Sequence, residues 1–516
     1  MSTLVELLYN STSKTPQHIA FKCNKMTLSY TELSKKSTLL AVYLVSVGVK
    51  KGDRVGIYLN RCLETSFAIY GILLSGAAYV PLDPDAGPER NAYIARDCDL
   101  RVIITSNSQR RKFEELSNHD TPIKNVVGLA NSSSSVEWDF IFQQKTFEKT
   151  LPEVLPSDIA YILYTSGSTG FPKGIVHTHE SGFAFAKLSA NYYKISTSDI
   201  VANHAAINFD ISTLGYFSGV LVSATIVIIT DPYIMLSGSL LKLIHEESIS
   251  IWYSVPTALI NFLNQKALDQ EDFKHLKWVL FAGEPFPTPK LRKLMQHWPQ
   301  AKFSNIFGPT EVNGCTYLIL DKAPKTDEPI SIGKALGDTE ILIVDNHDEE
   351  VCKGDAGEML VCTVTMMKEY WNNPEKTASS LFLKKDKVYY RTGDMIKENE
   401  DGNYTFLGRK DRQVKVRGYR IELDEIDATL WRHPRVKEAA TIVCKGENNE
   451  GKIVSYWVPN ERKTNLDTSS LQSFCIRHLA SYAIPSEFIE QQELPRTGRG
   501  KIDYMKLECL QNEEQK

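Results

Sequence analysis

The sequence predicts an α/β protein, with a large N-terminal domain of packed sheets and helices followed by a small α+β C-terminal domain. Three observations predict it. Apolar, β-branched runs alternate with helix-like segments, the pattern of largely parallel buried sheets. The texture changes after Gly408, where a strongly charged stretch opens a segment with its own strand and helix signals, of a size usual for one domain. The chain also has 516 residues, 42% of them hydrophobic, enough for several domains at roughly 100–200 residues each.

In chain order, Arg54-Val-Gly-Ile-Tyr-Leu reads as a buried strand and the apolar Leu63–Leu74 as a helix. Leu100-Arg-Val-Ile-Ile-Thr is a second strand, and Asn131-Ser-Ser-Ser-Ser a polar surface loop rather than a linker. Residues 211–230 carry no charge and are long enough to span a bilayer. Ser, Thr and Gly interrupt them, however, and no Lys/Arg cluster or aromatic belt flanks them. The expectation is a buried helix running into a buried strand over 224–229. Residues 232–247 have helical character and Trp278-Val-Leu-Phe is a further strand. Beyond Gly408 the pattern gives a short alternating strand, a helix over 422–433, a strand over 439–443 and a helix over 469–479, with no internal repeat.

Composition excludes several classes. The net charge is −4 and the basic residues are scattered, which argues against nucleic acid as a partner. Nine cysteines without a CxxC pair argue against a disulfide framework or a zinc site and fit a reducing, cytoplasmic setting. The N-terminus lacks a basic region followed by a long apolar one, so neither a signal peptide nor a membrane association is expected.

The most informative segment is Tyr161-Ile-Leu-Tyr-Thr-Ser-Gly-Ser-Thr-Gly-Phe-Pro-Lys-Gly-Ile. An apolar run feeds a loop of Thr, Ser and Gly with one lysine. Glycines permit close backbone approach, and N–H groups and hydroxyls can then wrap anionic oxygens, with Lys173 as a compact positive charge. Most Ser/Gly stretches are only flexible polar loops; the order of residues here is too particular for that. It is not the Walker pattern, because Lys173 is followed by Gly and the hydroxyls precede it.

This loop resembles the signature loop of the adenylate-forming superfamily, which includes acyl-CoA synthetases, luciferases and adenylation domains of nonribosomal peptide synthetases. Five further motifs stand in family order. They are Leu82-Asp-Pro-Asp-Ala-Gly-Pro-Glu-Arg, Asn305-Ile-Phe-Gly-Pro-Thr-Glu, Tyr390-Arg-Thr-Gly-Asp, Gly408-Arg-Lys-Asp-Arg-Gln-Val-Lys-Val-Arg-Gly-Tyr-Arg-Ile-Glu and Leu494-Pro-Arg-Thr-Gly-Arg-Gly-Lys. The resemblance implies ATP-dependent formation of an acyl-adenylate, with ATP and Mg²⁺ required. It implies a core domain over 1–410 and a small mobile domain over 411–516 that rotates about Asp411. Thr165, Ser166, Gly167, Ser168, Thr169, Gly170 and Lys173 would hold the phosphates, and Asn305, Phe307, Gly308 and Thr310 the adenine side. Asp394 and Arg409 would hold the ribose, and Glu311 and Thr165 the metal. Lys501 and Lys173 would be catalytic, neutralising charge as a carboxylate meets the α-phosphate. After rotation Lys501 would withdraw and Gly418 would leave room for a pantetheine arm.

The acid follows from Asn208-Phe-Asp-Ile-Ser-Thr-Leu. Asp210 matches the aspartate with which amino-acid-activating members pair the substrate ammonium, and a buried carboxylate in an apolar pocket calls for a cationic partner. An N-cap role for Asp210 is the plainer alternative. The remaining pocket positions, carried over by resemblance, are Ile211, Leu214, Tyr253, Leu280, Ala282, Ile306, Gly314 and Cys315; His204 stands where the family often has an aromatic gate, with a catalytic role expected of it. The set resembles free-standing ligases that load L-proline onto a carrier protein, in secondary-metabolite or nonribosomal peptide synthesis. Gly314 and Ile306 depart from that pattern and leave room for another small apolar amino acid. D-alanyl carrier ligases, acyl-CoA ligases and a non-catalytic scaffold are the remaining readings. No carrier-like Asp-Ser site is present, so the expected thiol acceptor is a separate phosphopantetheinylated carrier protein.

Overall fold

The computed structural model describes residues 2–130, 135–143, 150–167, 170–445, 451–460, 468–497 and 502–514. The expected loop of serines after Asn131 lies almost wholly outside them. Two large sheets carry the N-terminal part. In the first, Ala78–Pro81, Arg54–Ile57, Val102–Ile104 and Asn125–Val127 run parallel, and the hairpin Ile159–Thr165 with Lys173–Thr178 closes one side. In the second, Lys302–Phe307, Trp278–Ala282, Ile251–Ser254, Ile200–Asn203 and Thr225–Ile228 run parallel in that spatial order. Strands such as Val102–Ile104, Thr225–Ile228 and Trp278–Ala282 read as near-continuous apolar runs because both faces are covered.

The helices between the sheets bear this out. Leu63–Leu74 is buried at every position but Glu64, as a helix that is apolar all round must be. Reciprocal capping boxes at Thr3, Ser29 and Thr178 start Leu4–Lys14, Tyr30–Ser46 and His179–Tyr192, so the sequence itself satisfies the first free N–H groups. Side chains of these helices and of both sheets form one continuous core.

A five-stranded antiparallel sheet follows, of Glu340–Val344, Ala356–Cys362, Lys387–Glu398, Leu381–Lys384 and Tyr404–Arg409. The small C-terminal part opens with the two-stranded ribbon Gln413–Val416 and Tyr419–Glu422. Helix Leu423–Trp431, the sheet of Val436–Lys445, Gly451–Pro459 and Glu487–Glu490, and helix Thr468–His478 complete a separate α+β core. This is the α/β fold with a small C-terminal domain that the sequence predicts.

Two expectations change. Residues 232–247 are not one helix: Asp231–Met235 and Ser237–Glu246 are separated at Leu236, whose φ of −124° and ψ of 85° are not helical. The Ser-Gly-Ser that follows offers little helical propensity to carry a helix through. Residues 211–230 do form a buried helical segment feeding strand Thr225–Ile228, but it is wound as a 3₁₀ turn at Asp210–Ser212 and a π-helical turn at Leu214–Gly219. Turns of that kind concentrate at functional sites. Among the described residues, no helix is long and apolar enough to cross a membrane.

Candidate active site

The parallel strands of the second sheet end together at Ser254, Ala282 and Phe307, and a cavity of about 140 Å³ opens beyond them. That is where ligands bind in open α/β sheets. Its walls include Thr165, His204, Asp210, Ile211, Tyr253, Ala282, Ile306, Gly308, Thr310, Gly314, Asp394, Arg409 and Gly418, thirteen residues expected from sequence. Leu214 and Leu280 lie one layer behind, packed in the cluster that contains Tyr253, Ala282 and Ile306. Cys315 is fully buried with its Sγ 3.4 Å from the Phe307 carbonyl. Asn305 turns away, its Nδ2 donating to the Ser331 carbonyl at 3.0 Å. Ser168, Thr169 and Lys501 lie outside the described residues.

Asp210 closes one end of the cavity. It accepts from the Ile211 N–H at 2.9 Å, with Thr310 also favouring its charged form, and no ion pair among the described residues reaches it. Burial raises its carboxyl above the usual aspartate range, against those two groups and the more distant Lys415. His204, half-buried in the cavity wall, packs against Trp252 at 5.2 Å between ring centroids. Burial, with Arg61 nearby, brings its imidazole down to about 3, so the ring is a neutral wall.

At the other end, cross-strand register sets Asp394 opposite Arg409. Arg409 Nη1 donates to Asp394 at 2.6 Å, while Nε and Nη2 fork onto the Asp411 carboxylate at 2.7 and 2.8 Å. The loop after Thr165 is stitched to the C-terminal ribbon: Ser166 Oγ donates to the Arg420 carbonyl at 2.9 Å and accepts from the Glu422 N–H at 3.1 Å. Thr165 Oγ1 is buried and has no hydrogen-bond partner among the described residues.

Glu311 is fully buried beneath this loop. Burial alone would raise its carboxyl, but Arg420, with Nη1 at 2.6 Å, and Lys173, with Nζ at 3.3 Å, hold it well below the usual range, and Tyr370 donates at 2.7 Å. Burial, helped by Arg420, lowers Lys173 to about 8.

The ribbon supplies residues that sequence reasoning missed. Arg417 and Gly418 both have positive φ, 53° and 81°, giving the two-residue turn that joins twisted strands and favours glycine. A Cβ on Gly418 would lie 2.3 Å from Val255 Cγ1, so glycine is required where the ribbon enters the cavity. Lys415, half-buried, lies over the Phe307 ring at 5.1 Å and faces Asp394 and Asp210; desolvation lowers its ammonium. The signal was present as charges recurring at alternate positions of a short ribbon, Lys415 and Arg420 among them.

The family model described as AMP-binding enzyme matches residues 8–371, and that of the AMP-binding enzyme C-terminal domain matches 425–501. The chain belongs to the AMP-binding enzyme family. Among curated relatives, this AMP-binding enzyme is 32% identical over 508 residues to an L-proline--[L-prolyl-carrier protein] ligase of Pseudomonas fluorescens, covering 98% of this chain and 99% of that one. It is 32% identical over 493 residues to a protein of the same name from Streptomyces coelicolor, covering 93% and 91%. Its fold matches the amide bond synthetase McbA of Marinactinospora thermotolerans with a TM-score of 0.88 over 99% of both chains, at 20% identity.

Proposed function

We propose that this AMP-binding enzyme uses ATP to activate a small apolar amino acid, L-proline first among them, and passes it to the phosphopantetheine thiol of a separate carrier protein. The observation that carries this reading is Asp210, a half-buried carboxylate at the cavity wall that no cation among the described residues contacts, beside apolar Ile211, Ala282 and Ile306. A substrate ammonium satisfies it, and the apolar walls leave no partner for a charged side chain. The names of the two full-length relatives support the same substrate and acceptor.

In the first half-reaction an amino-acid carboxylate oxygen attacks the α-phosphorus of ATP, and the bond to the departing pyrophosphate breaks. Thr165 Oγ1 and the loop N–H groups bind phosphate oxygens, Asp394 accepts from the ribose, and Lys501 stabilises charge on the transferring group. In the second, the thiol sulfur attacks the acyl carbon, its proton is lost, and AMP leaves. We place the domain boundary at Asp411, giving 1–410 and 411–516, and assign the arrangement described here to thiol transfer, because Gly418 and Lys415 face the cavity. Mg²⁺ does not fit Glu311 in this arrangement: Arg420, Lys173 and Tyr370 already satisfy that carboxylate, and no step is routed through the ion. Free cysteines throughout the chain accord with the cytoplasm.

Amino-acid-dependent pyrophosphate exchange tests the reading. L-proline should give the highest specificity constant, with valine and alanine next. A clear preference for an acid without an amine would overturn the amino-acid assignment.

A further inference from the structure

The motif over residues 82–90 has no role in the site as described: none of it lines the 140 Å³ cavity. Its surroundings show what it touches. Residues 82–87 lead into helix Pro88–Asp97, whose start abuts the small domain. A Cβ on Gly87 would lie 2.2 Å from the Arg477 carbonyl oxygen and 2.3 Å from that of Ile476, at the end of helix Thr468–His478. The carbonyl end of one helix thus meets the N–H end of another, the favourable order for two helix dipoles.

Three residues further on, Arg90 Nη1 lies 2.9 Å from Glu425 Oε1 on helix Leu423–Trp431, with side chains only 5% and 3% exposed. The Gly167 backbone of the phosphate loop also favours the charged form of Glu425, so the motif and that loop converge on one carboxylate. Glu89 and Arg477 approach to 3.7 Å at the rim. Beside Arg90, Tyr482 stacks on Tyr419 at 4.1 Å with the rings 6° from parallel, and both tyrosines line the cavity. The seat at Gly87 and Arg90 therefore fixes where the ribbon enters the site.

We propose that residues 87–90 form the latch that holds the small domain in the thiol-transfer arrangement, with Gly87 and Arg90 as positioning residues for the second half-reaction and no part in the first. This rests on the proposed rotation about Asp411. Rotation exposes Arg90 and Glu425 separately to water, whereas docking buries them as a pair. Deleting one partner leaves the other buried alone only in the docked state. The substitution thus acts on the docking equilibrium, not on ATP or amino-acid binding.

The test uses the full chain and its Gly87→Val, Arg90→Ala and Asp411→Pro variants. Adenylation is read by L-proline-dependent pyrophosphate exchange, and transfer by single-turnover thioester formation from the pre-formed adenylate to pantetheine as probe thiol. Gly87→Val and Arg90→Ala should leave exchange within about threefold and lower transfer by about 30-fold or more. The exchanged pair, Arg90→Glu with Glu425→Arg, should recover part of the transfer rate lost by Arg90→Ala, which a general loss of folding would not allow. Unchanged transfer in both single variants, or an equal fall in both half-reactions without recovery in the exchanged pair, overturns the latch. If Asp411→Pro blocks transfer while the seat variants do not, the latch alone fails. If Asp411→Pro also transfers normally, the rotation fails with it.

Discussion

Replacing Asp210 by Asn keeps the shape of the side chain and an acceptor for the Ile211 N–H and removes only the charge. If a substrate ammonium pairs with Asp210, the variant leaves that ammonium buried and unpaired. Removing one partner of a buried ion pair costs about 3–5 kcal/mol, so kcat/KM in pyrophosphate exchange should fall on the order of 10²–10⁴-fold. Two further signs follow from the carboxyl being raised by burial in the free enzyme. A folded pKa above the unfolded one means that the charged form costs stability, a cost that appears as pH rises through the folded pKa. At neutral pH, Asp210→Asn should therefore melt no lower than the parent without substrate. Protonation as pH falls should also weaken amino-acid use at a pH above the ordinary aspartate range. A fall in kcat/KM of less than about threefold refutes the ammonium pairing. A lower melting temperature refutes the account of the carboxyl as uncompensated.

Three other outcomes are expected. Lys501→Ala should abolish pyrophosphate exchange and leave the circular dichroism melt unchanged; full exchange in that variant removes Lys501 from the catalytic set. His204 is neutral at working pH, so His204→Phe should retain exchange within about threefold, whereas the 10²–10⁴-fold loss of a general acid–base group would restore a proton-transfer role. Gly418→Ala drives a Cβ to 2.3 Å from Val255, so it should slow transfer to pantetheine more than exchange, and Val255→Gly should relieve it; no relief in the double variant would show that the ribbon does not seat there.

Much of this is legible in the sequence itself. The parallel strands announce themselves as β-branched runs because burial on both faces leaves no polar alternation to confuse them. Asp210, Tyr253, Ala282 and Ile306 could be placed because they stand at fixed distances from recognisable motifs near strand ends. Leu280 and Leu214 were harder. Leu280 points to the same face as Ala282 but one step back from the carboxyl end of Trp278–Ala282, so it meets core instead of cavity. The break at Leu236 depends on a local contest between weak helix formers that periodicity does not register. Lys415 and Arg420 were missed for a different reason. Their partners, Asp394 and Glu311, belong to another part of the chain, and only the docking of the ribbon brings them together.

Arg409 spends one arm of its guanidinium on Asp394 and a two-pronged grip on Asp411. On the proposed assignment, the residue that holds the ribose would therefore also be the bearing on which the proposed hinge rests. A turn at Asp411 that swings its carboxylate aside would strip Arg409 of two of those three hydrogen bonds and return it to Asp394. The nucleotide pocket would then feel the position of the small domain without touching it, and AMP would be gripped with different strength before and after the swing.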